Sequence, residues 1–160
     1  MNYIGIDPGF TGAIAVLDDK AQIIELYDIP TISVGKAKKE LDGPEIAKIL
    51  ANAELYSKCH VFIEKCQSMP GQGIASTGRY MAGYGRLIGI CEGLSLPYTL
   101  VRSPVWKKEM MPDMPKDKGQ SIVRVKQLYP DIDLPRKKDH GLADACLIAR
   151  YGWKTLGGGK

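Results

Sequence analysis

Met1-Asn2-Tyr3-Ile4-Gly5-Ile6-Asp7-Pro8-Gly9-Phe10-Thr11-Gly12-Ala13-Ile14-Ala15 opens the chain. Tyr3 to Ile6 reads as a short apolar strand that runs into a carboxylate. Pro8-Gly9 turns the chain, and Ala13 to Leu17 is a second apolar run. A carboxylate at the end of a buried strand is costly to desolvate unless a cation or hydrogen-bond partners offset it. Asp7 is therefore a candidate functional residue. Asp-Pro-Gly is also ordinary turn chemistry, and taken alone the tripeptide favours that reading. The rest of the chain has to decide between the two.

At 160 residues the length fits one domain with a real core, expected over 1–154, followed by a flexible tail at 155–160. Composition is ordinary for a globular protein, 44% hydrophobic and 25% charged. No apolar run approaches the roughly 20 residues of a membrane span. The N-terminus lacks a basic-then-apolar signal pattern, so a cytoplasmic protein is expected. Cys59, Cys66, Cys91 and Cys146 are scattered without a CxxC pair, which points to buried thiols rather than to zinc or disulfides. The net charge of +4 is unevenly placed: residues 1–60 carry −3, residues 61–101 carry +1 and residues 102–160 carry +6. A basic C-terminal half suits a polyanionic partner, although many solvated surfaces have the same composition.

Working outward, Tyr3–Ile6, Ala13–Leu17 and Gln22–Ile29 read as three consecutive strands in an antiparallel meander. Thr31 to Leu41 reads as a polar, lysine-bearing loop. Asp42-Gly43-Pro44-Glu45 starts a helix, with Asp42 as cap, that runs to about Tyr56. Cys59 to Glu64 is another strand ending in an acid. A Gly/Ser/Pro-rich loop follows, then a long helix from about Ile74 whose Gly78, Ala82, Gly85 and Gly89 form a small-residue face. Pro97–Val101 is a fifth strand. Ser103-Pro104 opens a short helix with Trp106, Lys107 and Lys108. Met110–Lys118 and Pro130–Lys138 are loops around a helix over Ser121–Tyr129, and His140–Trp153 is a final helix. The expected fold is α/β: a five-stranded mixed sheet, its first three strands antiparallel, flanked by helices.

Two strands thus end in acids, Asp7 and Glu64, and the last helix carries His140 and Asp144 four apart on one face. Asp144 stands among small and apolar residues, where an acid wants a partner. Glu64 could be a rim charge, and His140 could simply start its helix. Three acids and an imidazole from adjacent elements suit one or two divalent cations, Mg²⁺ through oxygen ligands or Mn²⁺, which also tolerates imidazole. Two such ions, about 3.5–4 Å apart, would clamp the attacking water and the leaving oxygen of a phosphodiester.

Ile4-Gly5-Ile6-Asp7-Pro8-Gly9, Val61-Phe62-Ile63-Glu64 and Leu142-Ala143-Asp144-Ala145 resemble the three active-site motifs of RuvC-type Holliday junction resolvases, in the same order and across almost the whole chain. The form is similar to the compact phage-encoded branch, including Ser103-Pro104-Val105-Trp106-Lys107 and the helix between Lys118 and Tyr129. The resemblance implies a ribonuclease H-like fold, a homodimer, and Mg²⁺- or Mn²⁺-dependent cutting of two opposed strands of a four-way junction. Carried over by motif, Asp7, Glu64 and Asp144 are metal ligands. The family commonly places a fourth acid three residues before the last Asp, and that position here is Gly141. His140 is assigned the role, because residue 139 lies about 100° away around the helix; Asp139 is the alternative. Bacterial relatives also place a junction-wedging phenylalanine after the Glu. With no aromatic before Tyr80, Met69 or Tyr80 would serve.

The DNA contacts expected are Met69, Arg79, Tyr80, Arg86, Lys107, Lys108, Lys116, Lys118, Arg136, Lys137 and Lys138, with no nucleotide cofactor and no membrane. An actin-like ATPase or sugar kinase also opens on an acid-bearing strand and a Gly-containing turn, but at about twice this length. A broader branched-DNA nuclease of the same fold, or an inactive junction-binding protein, are the remaining alternatives.

Overall fold

The first strand is buried along its length, and that burial fixes its place at the middle of the sheet. β1 (Asn2–Asp7) pairs antiparallel with β2 (Ala13–Leu17) on one side and parallel with β6 (Cys59–Glu64) on the other. In this computed structural model, residues 1–35, 38–67, 71, 73–115, 117 and 119–157 are described, Lys137 by its backbone alone. β3 (Ile23–Asp28) extends the sheet beyond β2, and β7 (Tyr98–Val101) lies parallel to β6, giving the order β3-β2-β1-β6-β7.

The period-2 alternation of side chains sends β1 residues to opposite faces. On one face Tyr3, Ala13, Ala15, Leu17 and Phe62 pack beneath α5 (His140–Thr155), with α3 (Ser103–Met110) and α4 (Gln120–Leu128) beside it. On the other, Ile4, Ile6, Ile14, Val61 and Ile63 pack against α1 (Gly43–Tyr56) and α2 (Ile74–Gly93). α1 begins as its sequence suggests, with the Asp42 carboxylate accepting from the Glu45 N–H at 3.2 Å and Pro44 in the first turn.

α5 lies unusually close to the sheet, and three glycines make that possible. A Cβ on Gly5 would stand 2.1 Å from the Ala145 carbonyl oxygen; one on Gly152 would enter the Phe62 ring; one on Gly141 would stand 2.3 Å from the Thr11 oxygen. The close approach carries residues 140–144 down onto the turn that follows β1.

Three segments differ from the sequence expectation. The expected loop over 31–41 is a hairpin, β4 (Thr31–Val34) against β5 (Lys38–Leu41). Only its last residue, Leu41, is buried, so the apolar alternation that marks a strand is missing. Thr155, expected in the tail, is helical, and its hydroxyl donates to the Tyr151 carbonyl; residues 158–160 lie outside the described residues. The Pro130–Lys138 loop ends in a 3-10 turn over Lys137–Asp139.

Candidate active site

Because β1 and β6 are parallel and Ile6 pairs with Ile63, Asp7 and Glu64 leave adjacent strands at the same sheet edge. β7 is parallel to β6 as well, so α3 starts at that edge with Ser103. α5 brings in Asp144 and, one turn earlier, His140. Asp7 takes part in the turn that follows it. The Gly9 N–H donates to Asp7 Oδ1 at 3.2 Å, and the Gly12 N–H donates to the Gly9 carbonyl at 2.8 Å. Gly12 sits so close to the Asp7 backbone oxygen that a Cβ there would lie 2.1 Å from it.

Glu64 accepts a 2.7 Å hydrogen bond on Oε2 from the indole Nε1 of Trp106, and the nearby Ser103 hydroxyl also favours its charged form. The Ser121 hydroxyl is near enough to Asp144 to favour its charged form, and Asp144 Oδ1 is buried with no hydrogen-bond partner among the described residues. Burial is the largest influence on all three acids and raises each pKa. Asp7 is pushed up from 3.8 to about 6 by burial; the Gly9 N–H opposes, the Asp144 charge adds to the rise, and His140 and Lys107 lower it. Glu64 is raised by burial, with the Trp106 bond opposing and the Asp7 charge adding. Asp144 is raised by burial, against the Ser121 hydroxyl and the Lys107 charge, while the Glu64 charge adds. Each carboxylate therefore feels another, and Lys107 acts on all three.

Acids held together out of water favour a cation between them. Among the described residues, no three His, Cys, Asp or Glu side chains are gathered as a metal-holding group; the three acids are near enough to act on one another electrostatically. Oxygen donors of this kind suit Mg²⁺ or Mn²⁺, for Mg²⁺ typically takes one or two carboxylates and completes its shell with water and substrate phosphate. The observation that favours such an ion is Asp144 Oδ1, buried with no hydrogen-bond partner among the described residues.

Of the two fourth-donor candidates, His140 acts electrostatically on both Asp7 and Asp144. Asp139 is engaged elsewhere. It is almost fully buried and accepts from the backbone N–H of Arg136 at 2.8 Å and from the Arg136 guanidinium at 2.7 Å. That pairing holds the Asp139 carboxyl below the usual range despite its burial. Gly141 has no room for any side chain against Thr11, so no donor can come from position 141.

The expected DNA contacts separate. Lys107 faces the acids and lies over the Trp106 ring, 5.1 Å from its centroid. Tyr80 is half-buried and lines a cavity of about 290 Å³ with Glu64, Cys66, Gln67, Ser103 and Pro104. Arg79 is half-buried one residue earlier on α2. Lys108 lines a separate groove with Glu109, Tyr151 and Lys154, and Lys138 is exposed. Arg86 donates instead to the Leu41 carbonyl and pairs with Glu40 at 3.4 Å, so it clamps the β4–β5 hairpin. Arg136 is engaged by Asp139 and by Asp28 at 3.6 Å. Met69, Lys116, Lys118 and the Lys137 side chain lie outside the described residues. Sequence reasoning did not anticipate the roles of Trp106, Ser103 and Ser121 at the acids. Their only signal is that Trp106 precedes Lys107 on a helix opening at the sheet edge.

No family model matches the sequence, and no curated protein matches it. Solved structures do. The structure of Thermus thermophilus RuvC in complex with Holliday junction substrate matches with a TM-score of 0.67 at 16% identity, covering 99% of this chain and 97% of that one. The chain has the RuvC fold. A second Thermus thermophilus RuvC structure matches with a TM-score of 0.61 at 16% identity over 98% and 96% of the two chains. The α/β architecture expected from the motifs, a mixed five-stranded sheet flanked by helices, is the RuvC, ribonuclease H-like architecture. Among the described residues no helix is long and apolar enough to cross a membrane.

Proposed function

We propose that the chain is a metal-dependent endonuclease that resolves four-way DNA junctions by paired, symmetric phosphodiester hydrolysis. The observation that carries this reading is that Asp7, Glu64 and Asp144, from β1, β6 and α5, act on one another, with Asp144 Oδ1 buried and partnerless among the described residues. A fold shared with a protein whose structure holds a Holliday junction supports the choice of branched DNA.

The three acids would hold Mg²⁺ or Mn²⁺, expected as two ions, with His140 as the fourth donor. When bound, such ions neutralise charge on the scissile phosphate and acidify a coordinated water. Lys107, already placed beside the acids, holds a non-bridging phosphate oxygen. The Trp106 bond holds Glu64 in place at the sheet edge. His140, which acts on both Asp7 and Asp144, holds or moves a proton at its imidazole. Hydrolysis in this sense leaves 5′-phosphate and 3′-hydroxyl ends. Tyr80, at the cavity beside Glu64, meets the nucleotide next to the cut; with Met69 it is the candidate junction wedge. Arg79, Lys108, Lys116, Lys118, Lys137 and Lys138 contact the backbone, so affinity falls steeply with salt.

A homodimer matches a two-fold symmetric junction. Its seam is assigned to α2, where Gly78, Gly85 and Gly89 are exposed and a Cβ on any of them would meet nothing within the chain. The role falls in DNA recombination, repair or phage DNA debranching. The test is a panel of labelled substrates in Mg²⁺ and in Mn²⁺. Paired symmetric nicks in a synthetic four-way junction, absent in Asp7→Asn, support resolution. Stronger cutting of flaps or single strands would replace it with a broader branched-DNA nuclease. Tight junction binding without cutting in either metal would leave a binding protein.

A further inference from the structure

Trp106 is fully buried, yet its polar atom is not turned into the core. The ring belongs to the core cluster beneath α5 that also holds Phe62, Val101 and Ala145. Its Nε1–H reaches the sheet edge and donates to Glu64 Oε2 at 2.7 Å. A buried indole N–H needs an acceptor. Here it takes one oxygen of a residue at the candidate catalytic centre, from 42 positions away in sequence. Lys107, the next residue, lies over the same ring and acts on all three acids.

We propose that Trp106 is a positioning residue: its indole N–H fixes the rotation of the Glu64 carboxylate, so that Glu64 meets a divalent cation preorganised. The inference rests on the metal-site reading above. Glu64 ends a strand, and its side chain has three rotatable bonds of its own. Anchoring one carboxylate oxygen to a ring that is itself immobile in the core removes most of that freedom. Partners of this kind orient ligating carboxylates, and losing one weakens metal affinity about tenfold to a hundredfold. A core tryptophan whose N–H had merely found the nearest acceptor would affect stability and leave metal affinity alone.

The test replaces the N–H while keeping the ring. Trp106→Phe is the first variant. The second carries β-(3-benzothienyl)alanine at position 106 in a Trp153→Phe chain; it keeps the bicyclic shape and lacks the donor. Mn²⁺ binding is read from the free-ion electron paramagnetic resonance signal, without DNA. Thermal unfolding and junction binding in Ca²⁺ are measured alongside. The expected result is Mn²⁺ affinity weakened about tenfold or more in the benzothienyl protein, with its unfolding midpoint and junction affinity close to those of the Trp153→Phe parent. Trp106→Phe should lose the same Mn²⁺ affinity whatever its stability. Parent-like Mn²⁺ affinity in the benzothienyl protein would overturn the inference and leave the metal site standing. Failure of the unsubstituted chain to bind Mn²⁺ would overturn the metal-site reading and this inference with it.

Discussion

Asp7 combines two demands that oppose each other. Its pKa of about 6 means that the native state keeps a proton which the unfolded chain releases near 3.8. Stability of the metal-free protein therefore falls as pH rises from 3.8 through about 6, and the deficit is complete above that. The full deficit is on the order of 3 kcal/mol. Asp7→Asn should accordingly raise the unfolding midpoint of chelator-treated protein at pH 7.5, by on the order of 5 °C. Most of that gain should vanish at pH 4, and calorimetry at the two pH values checks it. Gly141 makes the opposite point. Writing the family's usual acid into this position, Gly141→Asp, drives a Cβ to 2.3 Å from the Thr11 oxygen. The variant should lose about 2–3 kcal/mol of stability, measured by denaturant unfolding, rather than gain a ligand. That an acid was missing at 141 could be read from the sequence; why it had to be missing could not, since the reason is the distance between α5 and a turn more than 120 residues earlier.

At the scale of elements, legibility followed burial. β1, β2, β6 and α5 carry continuous apolar runs because both faces of the central strands, or nearly all of a helix, are covered. Their ends locate Asp7 and Glu64, and helical spacing places His140 with Asp144. The β4–β5 hairpin was not legible, because Ile32 and Val34 are exposed and one leucine holds it to the core. What secures it is Arg86, donating to the Leu41 carbonyl from 45 residues away. Arg86→Ala should destabilise the protein by about 1–2 kcal/mol and leave junction affinity within about twofold; unfolding and binding titrations together check this. The role of Trp106 escaped notice for a different reason. Its partner, Glu64, depends on how α3 docks, and no local pattern encodes docking.

The whole molecule has two faces of different character. The sheet edge where β1, β6 and β7 end gathers the acids, Lys107 and the start of α3. The outer face of α2 exposes Ile74 and Met81 around its glycines. Small residues allow close backbone approach, so a charge there should prevent pairing. Light scattering should report a dimer for the chain and a monomer for Gly85→Glu, with the unfolding midpoint of the separated chains little changed. A monomeric parent would remove α2 as the seam.

The central claim is that the three acids, distant in sequence, form one cation site. Anomalous scattering from a crystal soaked in Mn²⁺ tests it most directly. The account predicts manganese peaks bounded by Asp7, Glu64 and Asp144, with His140 at their margin and Asp139 still paired to Arg136. Manganese elsewhere on the surface, with those three acids unliganded, would contradict it.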